Sequence, residues 1–191
     1  MWTLGDAWRD EAALAEAWRA AQPFPHLVFD DVVPATPVLD VLDDEGVVRQ
    51  EGDIFAFEAS GHLGELSAQF GDTFAPVLAR ITGKPVTRVE LRAYAYRVGH
   101  YLLPHSDHQE DLERLIAFAY YLPTPEPPRG GELELFRCTA SGAEIVATDS
   151  ALLIAPRAHR LAVFDVSDVS LHQVREVLAG LRLSLAGWFY P

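Results

Sequence analysis

Helical periodicity is confined to residues 1–85, period-two alternation begins at Val86, and short apolar runs separated by Pro- and Gly-rich turns fill the remainder. Together these predict an α+β fold in which helices come first and many short strands then close into a sandwich or small barrel. The strand count fits a double-stranded β-helix, or jelly roll, with N-terminal supporting helices. At 191 residues a single domain with a sizeable core is expected. It divides into a helical part, 1–85, and a β-helix core, 86–191.

Asp6 to Ala20 reads as a helix, with Asp6 as its cap and Leu14 and Trp18 on one face. Gln22-Pro23-Phe24-Pro25 stops it, because neither proline can donate the next backbone hydrogen bond. His26 to Val33 reads as a short strand, and the acidic, weakly periodic stretch Asp43 to Phe57 as a loop. Leu63, Leu66, Phe70, Val77 and Ile81 recur at helical spacing, with Gly71-Asp72 and Pro76 suggesting two helices and Gly83 and Pro85 ending the second.

From Val86 to Tyr96 the pattern is that of a strand: Arg88, Glu90, Arg92, Tyr94 and Tyr96 alternate with Val89, Leu91, Ala93 and Ala95. Further strands are expected at Leu115–Leu122, Glu132–Phe136, Ala143–Ala147, Ala151–Ile154, Leu161–Phe164, His172–Val177 and Leu181–Phe189. The turn Pro123 to Gly131 separates the first two.

Composition removes several classes of function. A net charge of −13 disfavours a non-specific nucleic-acid binder, which needs Lys and Arg to displace counterions. It suits a basic partner, although acidity that simply keeps the chain soluble is the simpler reading. No apolar run approaches the roughly 20 residues that span a bilayer, and the first residues lack a secretory pattern. The single Cys138 allows no internal disulfide. A cytoplasmic protein is expected, with no membrane or nucleic-acid partner; composition leaves the oligomeric state open.

The chemistry is carried by His105-Ser106-Asp107, His172 and Arg182. Two residues apart on an extended strand end, His105 and Asp107 point to one face and can hold one metal ion. His172, opening a later strand, can complete a set of two imidazoles and a carboxylate. That set occupies one face of the metal and leaves positions open, as non-haem Fe(II) oxygenases require. Room remains for a bidentate 2-oxo acid and O2. His-x-Asp alone occurs by chance in polar turns, and with seven histidines His172 alone is also a weak signal.

Arg182 and Ser184 share a face opposite three leucines. Lining a barrel interior, Arg182 would need an anion, since an unpaired buried charge is costly. A co-substrate carboxylate can serve through bidentate hydrogen bonds; an internal Asp or Glu, or a solvated face, is the alternative. Next to the His-x-Asp pair, the carboxylate anchor is preferred.

Tyr96 to Trp188 resembles the Fe(II)/2-oxoglutarate-dependent prolyl hydroxylases. The matched elements are Tyr96-x-x-Gly99, His105-x-Asp107, Tyr120-Tyr121-Leu122, Gly130-Gly131-x-Leu133, Leu161-x-x-Phe164, His172-x-Val174 and Arg182-x-Ser184-x-x-Gly187-Trp188-Phe189. Residues 166–178 and 182–189 are most similar to the ribosomal-protein prolyl hydroxylase branch, whose larger members carry a second, related domain; a single catalytic domain is expected here, which puts a ribosomal substrate in doubt. Pro23-Phe24-Pro25-His26 and Asp30-Asp31 extend the likeness.

The resemblance implies that His105, Asp107 and His172 bind iron and that Arg182 holds the distal carboxylate of 2-oxoglutarate. Tyr121 would support that carboxylate, and Tyr96 would lie near co-substrate and substrate, each with an alternative as a barrel-wall residue. Implied cofactors are Fe(II), 2-oxoglutarate as co-substrate and O2, with ascorbate as an optional reductant. The Asp107 carboxylate fills the position a halide takes in related halogenases, so hydroxylation is expected. A prolyl residue in a protein or peptide is the first substrate; a free amino acid or small natural product is the alternative. A non-catalytic barrel that only senses metal or 2-oxo acid ranks below both.

Other groups carry weaker expectations. His159 could compete as the distal ligand, but no basic residue follows it at the right remove. His100 and His108 are expected in exposed loops, Cys138 buried, and Gly130-Gly131 in a turn.

Overall fold

The helices lie where amphipathic spacing placed them, with different ends. A 3-10 turn, Asp6–Trp8, precedes helix α1, Glu11–Ala20. The computed structural model, which describes residues 2–34, 46–142 and 144–191, gives the cap to Asp10 rather than Asp6. The Asp10 carboxylate accepts from the Ala13 N–H at 3.0 Å, so the helix starts where a side chain meets a free amide.

The two helices expected between Leu63 and Ile81 are one, α2, Gly64–Thr82. Pro76 and Asp72 are both exposed, so the Asp72 carbonyl, deprived of its partner by the proline, lies where water can replace it. Gly71 is a packing residue: a Cβ there would come within 3.0 Å of Val89. Gly83 ends the helix as expected, at φ 72° with its N–H donating to the Ala79 carbonyl.

Thirteen strands are formed by the described residues: β1 His26–Phe29, β2 Val48–Gly52, β3 Phe55–Ala59, β4 Arg88–Tyr96, β5 Tyr101–His105, β6 Ile116–Tyr121, β7 Arg129–Gly130, β8 Leu133–Ser141, β9 Glu144–Ile154, β10 Leu161–Asp165, β11 His172–Val174, β12 Val177–Ala179 and β13 Arg182–Tyr190. Eleven make one antiparallel sheet, ordered β1-β10-β6-β13-β4-β3-β5-β11-β8-β9 with β2 added on β3; β7 and β12 pair separately. The sheet curls into a jelly roll, so that β4, β6 and β13 face β5, β8 and β11 across a cavity lined from both sides.

Several boundaries differ from expectation. The loop foreseen at Asp43–Phe57 contains the β2–β3 hairpin, with residues 43–45 outside those described. Strand β2 is exposed throughout, so no apolar alternation announces it, whereas Phe57 packs its ring 5.4 Å from Tyr94 and 5.6 Å from Tyr96 and joins β3 to the barrel. The two segments around 143–154 are one edge strand, β9, with residue 143 outside those described; backbone pairing to β8 carries its polar middle. His172–Val177 breaks after Val174, and Val177 pairs with Gly130 instead.

The two faces of β6 and β13 go to different uses. On the outer face α2 supplies Phe70, which stacks on Phe118 at 4.6 Å and lies 6.0 Å from Phe189, within a core that also holds Trp2, Phe74, Tyr120 and Leu185. Neighbouring positions face the cavity: Ala117 and Ala119 on β6, and Arg182, Ser184 and Trp188 on β13.

Candidate active site

His105 ends β5, Asp107 follows beyond the strand, and His172 opens β11. These strands are antiparallel neighbours with His172 opposite His105, so sheet register brings together residues distant in sequence. One donor atom from each of the three lies within 4.8 Å of the others. Asp107 Oδ1 is 3.8 Å from His105 Nε2 and Oδ2 is 3.4 Å from His172 Nε2. Such spacing suits donors each about 2 Å from one cation.

Both imidazoles are held in the required tautomer. His105 Nδ1 donates to the Leu103 carbonyl at 2.9 Å and His172 Nδ1 to the Ser170 carbonyl at 3.0 Å. A carbonyl only accepts, so each Nδ1 carries the proton and each Nε2 offers a lone pair. Burial holds His172 well below the usual imidazole range, with nearby Asp107 opposing and His105 reinforcing the shift. It is therefore neutral, the form that ligates a metal.

Arg182 lies deeper in the same cavity and is 3% exposed. Its guanidinium is 4.7 Å from the Tyr96 ring centroid and 5.0 Å from that of Tyr121, and Nη1 donates to Ser184 Oγ at 3.2 Å. Among the described residues no carboxylate pairs with it, and Arg182 Nε and the Tyr121 hydroxyl are both buried without a partner. The alternative of an internal counter-charge is thus not met there. Burial raises the Tyr96 hydroxyl pKa, keeping it neutral. Gly131, at φ 70°, leaves room for the arginine stem, since a Cβ there would sit 3.0 Å from Arg182 Cδ.

Two open imidazole lone pairs, a carboxylate and an unpaired guanidinium therefore share one cavity of about 400 Å³. This donor set fits a divalent cation together with an anionic co-substrate, because an unsatisfied buried guanidinium is costly until an anion meets it.

The opposite end holds groups whose convergence spacing did not announce. Arg114 lies 3.6 Å over the Trp188 ring, its Nη1 donates to the Asp107 carbonyl at 3.3 Å, and Arg114 Nε and Trp188 Nε1 are buried without partners. Phe164 packs its ring 4.7 Å from His172. The family motif contains Trp188 and Phe164, but Arg114 gives no period or spacing signal. A second hollow of about 320 Å³ continues past Tyr94, Arg114 and Trp188 to Glu90 and Tyr190, along the same faces of β4 and β13.

The remaining candidates lie elsewhere. His159 bonds to the Tyr120 hydroxyl at 2.9 Å, near the outer core. His100 is buried rather than exposed, because the turn after β4 folds inward and its carbonyl accepts from Val177 N–H. His108 is partly exposed beside Asp168 at 2.5 Å. Cys138 is half-buried rather than buried, being on the projecting β8–β9 hairpin. Gly130, at φ 79°, begins the Gly-Gly turn as expected. Among the described residues no helix is long and apolar enough to cross a membrane.

The chain is 29% identical over 206 residues to prolyl 3-hydroxylase OGFOD1 of Xenopus laevis, covering 93% of this chain and 39% of that protein. It is 30% identical over 159 residues to prolyl 3-hydroxylase sudestada1 of Drosophila melanogaster, covering 74% of this chain and 29% of the relative. The chain thus spans well under half the length of these curated relatives. Its fold superposes on a Pseudomonas putida prolyl-4-hydroxylase with a TM-score of 0.67 at 21% identity, covering 93% of this chain and 98% of the other. The family model for the 2OG-Fe(II) oxygenase superfamily matches residues 91–190, the stretch that holds both imidazoles, the carboxylate and the guanidinium, and the chain belongs to that superfamily.

Proposed function

We propose that this chain is an Fe(II)- and 2-oxoglutarate-dependent hydroxylase acting on a prolyl residue in a protein or peptide, with a cytoplasmic setting. The observation that carries the reading is a complete donor set within 4.8 Å in the same cavity as a buried arginine lacking a carboxylate partner among the described residues. Relatives named as prolyl 3-hydroxylases support the prolyl substrate.

In this reading His105, Asp107 and His172 hold the iron, and Arg182 takes the distal carboxylate of 2-oxoglutarate. Tyr121 donates its free hydroxyl to that carboxylate, and Ser184 fixes the guanidinium. Tyr96 covers the guanidinium with its ring. Once bound, iron and 2-oxoglutarate supply the power to oxygenate an unactivated C–H with O2, releasing succinate and CO2. The protein orients the target carbon and keeps water out; Phe164 and the small side chains Ala117 and Ala119 give the cavity an apolar wall.

The trough past Arg114 and Trp188 favours an extended substrate over a free amino acid. Its two unpartnered N–H donors are suited to peptide carbonyls, and exposed Ile54 and Gln109 line the adjoining metal-site cavity. The test is incubation of a cell extract with the protein, Fe(II), ascorbate and 2-oxoglutarate, followed by peptide mapping. Prolyl residues heavier by one oxygen atom, formed only with 2-oxoglutarate, are expected. Oxygenation of a small metabolite with no modified peptide would replace the prolyl reading by the tailoring-enzyme one.

A further inference from the structure

We infer that Ser106, between His105 and Asp107, is a positioning residue whose hydroxyl ties the Asp107 segment to the His172 segment. The inference rests on the metal-site reading above. Strand pairing sets His105 opposite His172. Asp107 lies past the end of β5, and the residues before His172 lie outside β11, where Leu171 is tied to β8 through the Phe136 N–H and not to the Asp107 segment.

Ser106 bridges that gap. Its hydroxyl donates to the Ser167 carbonyl at 2.8 Å, a contact spanning 61 residues of sequence, and accepts from the His108 N–H at 3.1 Å. The Ser167 carbonyl also receives the Ser170 hydroxyl at 2.8 Å, and Ser170 Oγ accepts from the Ser167 N–H at 2.9 Å. Ser170, fully buried, then presents its own carbonyl to His172 Nδ1. A continuous hydrogen-bonded path thus runs from the residue before Asp107 to the ring of His172.

A local serine turn would need only the His108 contact. The bond to Ser167 has no local role; it fixes the distance between two ligand-bearing segments. Outer partners of this kind hold the metal ligands in place, and their loss typically lowers metal affinity about 10- to 100-fold.

Anaerobic calorimetric titration of Co(II) into metal-free protein, without co-substrate or turnover, tests this, with the Co(II) absorption spectrum as a second readout. Ser106→Ala is expected to weaken Co(II) binding at least about 10-fold and alter the spectrum, with the metal-free melting temperature unchanged. Ser106→Thr, which keeps the hydroxyl, is expected to restore affinity. If Ser106→Ala does not fold, Ser106→Cys carries the test, since its thiol is a weak donor of similar size.

Parent-like Co(II) affinity in Ser106→Ala, or a Thr variant as weak as the Ala variant, would overturn the inference. So would a loss of affinity accompanied by an equal loss of metal-free stability. A parent protein that binds no Co(II) would instead remove the metal-site reading itself.

Discussion

The two faces of β6 and β13 present opposite kinds of surface. Toward α2 they offer Phe118, Tyr120, Leu185 and Phe189, each at most 2% exposed and packed against Phe70 and its neighbours. Even the hydroxyl among these four side chains is satisfied, since Tyr120 donates to the Val32 carbonyl at 2.8 Å. Toward the cavity the same strands offer Tyr121, Arg182, Ser184 and Trp188, and three of these four residues carry a buried polar atom without a partner. One face satisfies its polar atoms within the fold; the other leaves donors open, as the proposed ligand site would require. Substitutions on the first should cost stability, and substitutions on the second should cost binding.

The largest effect expected from breaking this division comes from the metal donors. Asp107→Ala should reduce oxygenation to background and weaken Co(II) binding beyond the roughly 10- to 100-fold typical of an outer-shell change. Calorimetry and product mass spectrometry check both. Full hydroxylase activity in this variant would contradict the role of Asp107.

Next comes the packed face. Phe70→Ala should destabilise the fold by about 3–5 kcal/mol, from lost burial and the cavity left behind, as read by denaturant unfolding of the metal-free protein. Any molecules still folded should bind 2-oxoglutarate normally.

Arg182→Met should do the reverse. It keeps most of the volume and removes a buried charge that has no carboxylate partner among the described residues, so ligand-free stability should not fall by more than about 1 kcal/mol. The KM for 2-oxoglutarate should rise on the order of 10- to 100-fold, the size of a lost charge-assisted hydrogen bond. A large loss of stability with unchanged KM would reverse the assignment of that face.

Tyr121→Phe is the mildest. Removing a hydroxyl that lacks a protein partner should leave unfolding unaffected and weaken 2-oxoglutarate binding about 10-fold, the low end for a hydrogen bond to a charged group.

The same contrast explains which features the sequence reveals. Period two in Arg88–Tyr96 and Leu181–Phe189 separates the two faces of each strand, so alternation alone marks Arg182 and Ser184 as sharing a face, and the tertiary fold turns that face to the cavity. His105 and Asp107 are legible as a candidate pair from their spacing, although Asp107 lies past the end of β5 and strand alternation does not itself place it. His172 needs the family resemblance, since its approach to His105 depends on β5–β11 register that no local pattern encodes.

Arg114 leaves no trace in the sequence for a related reason: it lies in an irregular segment and reaches Trp188 and Asp107 only through the tertiary fold. The β2–β3 hairpin is hidden because Val48–Gly52 has no buried face to leave a pattern. Gly71 and Pro76 mislead in the other direction. Packing against β4 needs the glycine, and solvent tolerates the proline, so local break signals yield to the tertiary environment of α2.

The cavity face is proposed as a ligand site assembled from metal donors and a buried guanidinium. Its most direct test is anaerobic titration of 2-oxoglutarate into the Mn(II)-loaded parent, the metal-free parent and Mn(II)-loaded Arg182→Met. Tight binding that needs both the metal and Arg182 is the expected result. Equal binding by all three would contradict the account.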